Sequence, residues 1–246
     1  MSSWSIIHQP STPRVPEHLP MRHITGHSSL RSKALGLITL QAALMGLFLI
    51  GCASGPRREG ETKDYGFEGD SDIVWVRGPW ESIRPSGNVD EVIDQLCPAV
   101  MELPRARLGE YGQEYCGVIY SFENGLYYAS VPSPLKRAEM VGPSRRKSCF
   151  SPAVVKDSRG QLEPLADFHS HPWPSSPMSE PDRRRRNQRY RVRIQFDTTC
   201  RIQKLVPHIR DALPGEIYER QARSWKLIGY IQPEDKDSGF ITPVRP

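Results

Sequence analysis

No C-x-x-C pair occurs among the five cysteines of this chain, so a zinc site built from cysteines is excluded. No internal repeat is present, which excludes a solenoid or propeller. Charge of one sign is not dominant: 33 Lys and Arg against 28 Asp and Glu leave +5, much of it in the local run Arg183, Arg184, Arg185 and Arg186. Apart from Tyr190, aromatic residues are not interleaved with that run, so it lacks the stacking platform that a nucleic-acid surface uses. Nucleic acid is therefore not expected as a partner. Long apolar runs are scarce too. Residues 34–51, ALGLITLQAALMGLFLIG, form the stretch long enough to approach a bilayer's thickness.

What is present is enough for one domain. With 246 residues, 37% hydrophobic and 25% charged, the chain can bury one core of ordinary size but hardly two. Its 23 prolines gather near the N-terminus, at 132–143 and at 172–181, and predict irregular connections.

Arg22, Arg31 and Lys33 precede the uncharged run, giving a basic region followed by an apolar one, as in an export signal. The run ends at Leu49-Ile50-Gly51-Cys52, which resembles the lipobox of bacterial lipoproteins. That resemblance implies cleavage before Cys52, lipidation of its thiol and a membrane anchor at the bacterial cell envelope. Ala53 and Ser54 suit sorting to an outer membrane. A single transmembrane anchor is the competing reading, disfavoured because no stop-transfer charge cluster follows at once. Both Met1 and Met21 are open as the start. Residues 53–70, rich in Gly, Glu, Arg and Lys, read as a flexible tether, with the folded part beginning near Ile73. In an oxidising compartment Cys97, Cys116, Cys149 and Cys200 could form one or two disulfides, with three pairings open and buried free thiols as the alternative.

Asn88-Val89-Asp90-Glu91 predicts a helix N-terminus with a capping-box glutamate, and Val89, Val92, Ile93 and Leu96 continue at helical spacing up to Pro98. The apolar runs 116–122 and 126–131, joined through Asn124-Gly125, predict a hairpin. Val154-Val155 and 165–168, flanking Asp157-Ser158-Arg159-Gly160, predict a second. Residues 190–196 alternate as a half-exposed strand, and 224–231 read as another. Short helices with mainly hairpin-linked strands make an α+β domain, placed at 71–205, with 206–246 as an extension packed on it.

His169-Ser170-His171 stands at the end of a predicted strand, where side chains two apart share a side. Ser179-Glu180-Pro181-Asp182 follows. Two imidazoles and a carboxylate make a three-ligand set that leaves a fourth tetrahedral position for water, as in catalytic zinc sites. Taken alone, Ser179 to Asp182 is equally a helix cap. The pattern H-S-H-P-x6-S-x-x-D resembles the H-x-H-x7-S-x-x-D signature of JAMM (MPN/JAB) metalloproteases, and Glu114-Tyr115-Cys116-Gly117-Val118-Ile119 resembles the family's upstream glutamate segment. The resemblance covers roughly residues 89–196. Here Pro177 and Met178 precede the serine where many relatives have proline directly, and a proline-rich basic insertion occupies 132–147.

The resemblance implies a cytidine-deaminase-like mixed sheet flanked by short helices. It implies Zn2+ on His169, His171 and Asp182, Glu114 as general base and Ser179 as oxyanion donor. Glu110 and Glu123 are alternatives to Glu114. The implied reaction is hydrolysis of a peptide or isopeptide bond, and outside the bacterial cytoplasm the substrates in reach are peptidoglycan stem peptides or envelope proteins. The rival reading is a non-catalytic MPN-like lipoprotein acting as a binding or scaffold module. Arg183 to Arg186, with Arg189 and Arg191, read as a solvated face, or beside such a site as a patch for an acidic substrate or lipid headgroup.

Overall fold

The computed structural model describes residues 63–136, 148–210 and 212–244. The run expected to act as an export signal, Cys52 and most of the insertion at 132–147 lie outside the described residues. Among the described residues no helix is long and apolar enough to cross a membrane.

The fold is α+β, rich in sheet and poor in helix. A three-stranded sheet joins β1 (Tyr65–Phe67), β2 (Val74–Arg77) and β5 (Val154–Lys156) in the order β1-β2-β5. The main sheet holds β3 (Cys116–Ser121), β4 (Tyr127–Ala129), β6 (Glu163–Ser170), β7 (Val192–Phe196), β8 (Ile202–Val206), β9 (Gly215–Gln221), β10 (Ser224–Ile231) and β11 (Thr242–Pro243). Its order is β11-β10-β9-β8-β7-β6-β3-β4. Every neighbouring pair in it is antiparallel except β6 with β7.

The long helix α1 (Val89–Val100) starts where Asn88 accepts a hydrogen bond from Asp90 N at 3.0 Å. Glu91 does not close the expected capping box; it accepts from Ser86 Oγ at 2.6 Å. The helix also runs through Pro98 to Val100 rather than stopping there. It buries Val92, Ile93, Leu96 and Val100 against Ile119, Ala166, Phe168, Ile194 and Phe196 of the sheet. Asp90 and Asp94 reach Arg220 on β9, and Asp90 accepts from Trp225 Nε1 at 2.9 Å. The Cys97–Cys200 disulfide then ties α1 to the turn between β7 and β8.

The predicted hairpin at Asn124-Gly125 forms between β3 and β4, with Gly125 at φ 73°, a backbone region that glycine enters without strain. The second predicted hairpin does not form. Both edges of β6 are taken, by β3 and β7, so β5 pairs in parallel with β2 instead, and Asp157 turns to Tyr120 and Arg159. Strand β1 falls within the stretch read as tether: Tyr65 and Phe67 supply the side chains of a strand, and Asp64 pairs with Arg77 at 2.8 Å. The C-terminal strands β9, β10 and β11 continue the main sheet directly.

Candidate metal centre

The two faces of the sheet divide the labour. Residues paired across neighbouring strands point to the same face, and alternate residues along a strand point to opposite ones. Phe168, Ile194 and Phe196 face the core under α1, so Asp167, His169, Arg193 and Gln195 face away from it. Cys116 pairs with His169 and joins that second face. Gly117 pairs with Phe168, and a Cβ there would lie 2.2 Å from the Phe168 ring; glycine lets the ring lie against β3.

After His171 the chain crosses back over this second face before entering β7. Met178, within that crossover, packs with Leu205, Ile217 and Ile231 in a smaller core. Ser179 then caps the single turn α2 (Glu180–Arg183): Ser179 Oγ accepts from Asp182 N at 3.4 Å, and Ser179 N donates to Asp182 Oδ2 at 3.2 Å. This capping box, completed by a short hydrogen bond from the Ser179 hydroxyl to Asp182 Oδ2, turns the carboxylate back toward the sheet.

There it meets the histidines. Asp182 Oδ2 lies 3.5 Å from His169 Nε2 and 3.3 Å from His171 Nε2, and the two rings are 5.0 Å apart between centroids. Potential ligand atoms of the three residues all lie within 4.8 Å of one another, so the cluster could hold a metal ion. His169 and His171 are buried, and His169 Nε2 makes no hydrogen bond that satisfies it, as a nitrogen kept for an ion would be. His171 Nδ1 is 2.8 Å from Ser176 Oγ; a proton donated there leaves Nε2 with a free lone pair toward Asp182. Burial opposes ionisation of Asp182, but its electrostatic contact with His169, with His171 and the Ser179 hydroxyl beside it, outweighs that and holds the carboxyl well below the usual carboxylate range.

No family model, curated protein or solved structure matches the chain.

A cleft of about 930 Å³ opens over the cluster, and Glu114, His169, His171, Ser179 and Asp182 all line it. Glu114 is 5% exposed and sits just before β3, next to Tyr115, whose N–H is held by Ser170 Oγ at 3.0 Å. Five residues from three segments of the chain are thus brought to one cavity. Ser179 is a cap as well as a lining residue, and its hydroxyl is engaged by Asp182. Cys116 is in a disulfide with Cys149, which fixes Ser148 to Phe150 at the cleft's edge and excludes Cys116 as a nucleophile in this oxidised form.

Sequence reasoning missed the support beneath the cluster. The alternation in β7 suggested that Arg193 and Gln195 face solvent, yet both are buried. Arg193 pairs with Asp167 at 2.6 Å and donates to the Asp182 carbonyl at 2.9 Å and the Asn187 carbonyl at 2.8 Å. Gln195 donates to Ser176 O at 2.6 Å, and Asp197 accepts from Ser176 N at 3.0 Å. One signal was available: Asp167 stands two residues before His169, on the same side of the strand.

Proposed function

We propose that this chain is a zinc-dependent hydrolase of the JAMM type that cleaves a peptide or isopeptide bond. The observation that carries the reading is the convergence of His169, His171 and Asp182 beneath a cleft that Glu114 also lines. Ligand atoms about 2.0–2.2 Å from a shared tetrahedral zinc stand about 3.3–3.6 Å apart. The separations of 3.5 and 3.3 Å between the imidazoles and Asp182 agree with that spacing. Two nitrogens and one oxygen also leave a tetrahedral position open, which favours a catalytic over a structural ion.

Zinc bound there would supply Lewis acidity, bringing the pKa of a water to about 7 and polarising the scissile carbonyl. Glu114 takes a proton from the attacking water and delivers it to the leaving amine. Ser179 has two roles to reconcile. As a cap it orients Asp182; as an oxyanion donor it must turn its hydroxyl from Asp182 toward the substrate, a turn favoured once the carboxylate's charge is shared with a metal.

The Cys97–Cys200 and Cys116–Cys149 disulfides favour an oxidising compartment. This agrees with the lipobox reading of Cys52, and we place the protein at the bacterial envelope, acting on peptidoglycan stem peptides or envelope proteins. The test is metal analysis of the full chain beside His169→Ala with His171→Ala, followed by assays on stem peptides. Stoichiometric zinc lost in the double variant, with turnover abolished but zinc kept in Glu114→Gln, is the expected result. A well-folded chain that takes up no zinc when offered it would reject the reading.

A further inference from the structure

The arginines that follow Asp182 divide by direction. Arg183 donates to the carbonyls of Gly239 and Met178, Arg184 pairs with Glu180, and Arg185 approaches Asp237 at 3.8 Å. Arg191 pairs with Glu163 at 3.4 Å and Arg193 with Asp167 at 2.6 Å. Arg186 and Arg189 have no carboxylate partner among the described residues, and these are the two exposed arginines that line the cleft over His169, His171 and Asp182. Lys136 lines it as well, held by Ser148 Oγ at 3.0 Å beside the Cys116–Cys149 bridge.

Charge within the cleft is unbalanced once its internal pairs are removed. Arg193 and Asp167 neutralise each other, and Asp182 belongs to the ligand set. The exposed cations on its wall are Lys136, Arg186 and Arg189, and Asp72 and Glu114 also line it. A divalent ion carrying one carboxylate adds a further positive charge. Cations gathered along a concave wall focus their field into the cavity and favour ligands of the opposite sign. Guanidinium groups suit carboxylates in particular, because their planar fork can bind both oxygens.

We infer that the cleft selects peptides carrying free carboxylates beside the scissile amide, with Arg186 and Arg189 as the specificity-determining residues. Cleavage of that amide rests on the hydrolase reading above; the carboxylate recognition does not. An anionic lipid surface is the poorer fit, since a bilayer is flat and these side chains line a concavity shared with the ligand cluster.

The test uses the full chain in detergent, zinc-loaded, with Glu114→Gln in every sample so that binding is read without turnover. The probes are the pentapeptide L-Ala-γ-D-Glu-L-Lys-D-Ala-D-Ala with free carboxylates and the same peptide with its carboxyls amidated, compared by titration calorimetry. The free acid should bind about tenfold more tightly than the amide, as two charge-assisted contacts imply. Arg186→Gln with Arg189→Gln should erase that preference. Arg191→Gln with Arg223→Gln, which removes the same charge from exposed positions outside the cleft, should keep it. Equal binding of both peptides, binding of neither, or a preference that survives Arg186→Gln with Arg189→Gln would overturn the inference. So would arginine-dependent binding to phosphatidylglycerol vesicles without any peptide preference. A preference found in a chain whose Glu114 form hydrolyses nothing would sink the hydrolase reading and leave the recognition standing.

Discussion

Arg193 and Asp167 stand opposite each other on the parallel strands β7 and β6, 2.6 Å apart, with side chains 7% and 3% exposed. Burial disfavours the Arg193 charge, but Asp167 outweighs it and raises the guanidinium above its ordinary value. The same guanidinium holds the carbonyl of Asp182, so one buried cation links the sheet to the third candidate ligand. Replacing Arg193 by Met leaves Asp167 buried without its partner and should cost about 3–5 kcal/mol. Denaturant unfolding measures this. Arg193→Met combined with Asp167→Leu should recover most of the stability while metal affinity stays low, because the grip on Asp182 is still missing.

Ser176 acts through His171. With Ser176→Ala the imidazole loses the partner that fixes its tautomer and ring angle. Metal affinity should fall by about 10-fold to 100-fold, with the fold intact, as read by competition with a chromogenic chelator. An unchanged affinity would mean that packing alone orients His171.

The two disulfides should differ in weight. Cys97–Cys200 closes a separation of 103 residues and Cys116–Cys149 one of 33. In the chain-entropy account the longer loop contributes more, and losing such a bridge costs about 2–5 kcal/mol. Urea titrations of Cys97→Ala with Cys200→Ala and of Cys116→Ala with Cys149→Ala should therefore rank the first as the less stable. The reverse order would assign the larger share to the packing around the cleft's edge.

Asp157 predicts a pH dependence. Burial pushes its carboxyl up, but hydrogen bonds from Arg159 and Tyr120 outweigh this and hold it below the usual range. A carboxylate depressed in the folded state contributes stability that is present above its unfolded pKa of about 3.9 and lost as pH falls through the folded value. Unfolding free energies of the parent and Asp157→Asn should differ at neutral pH and converge as the pH drops below about 4. Curves that stay parallel would remove Asp157 from the acid response.

Much of the main sheet was legible because period-two patterns and Asn124-Gly125 are local signals. His169, His171 and Asp182 were legible because two of them are neighbours on a strand and the third sits behind a cap that the sequence spells out. Arg193 was not. Alternation marks which side of a strand a residue faces, and only tertiary context says whether that side is wet; here the crossover covers it. The failed hairpin at Asp157 has the same origin. A turn signal gives the turn, while the choice of partner strand depends on which sheet edges remain open. Tyr65 and Phe67 were lost in a polar stretch because two aromatic residues are too few to outweigh its composition.

The one parallel pairing within the main sheet, β6 beside β7, has a consequence for how such a site can arise. A chain leaving one strand and entering its neighbour in the same direction has to travel back the full length of the strand. That return journey is obligatory whatever the protein does. Here it runs above the end of β6, so a carboxylate placed midway along it is delivered to the two histidines with no separate loop devoted to the purpose. Topology supplies the reach, and the cap at Ser179 supplies the aim.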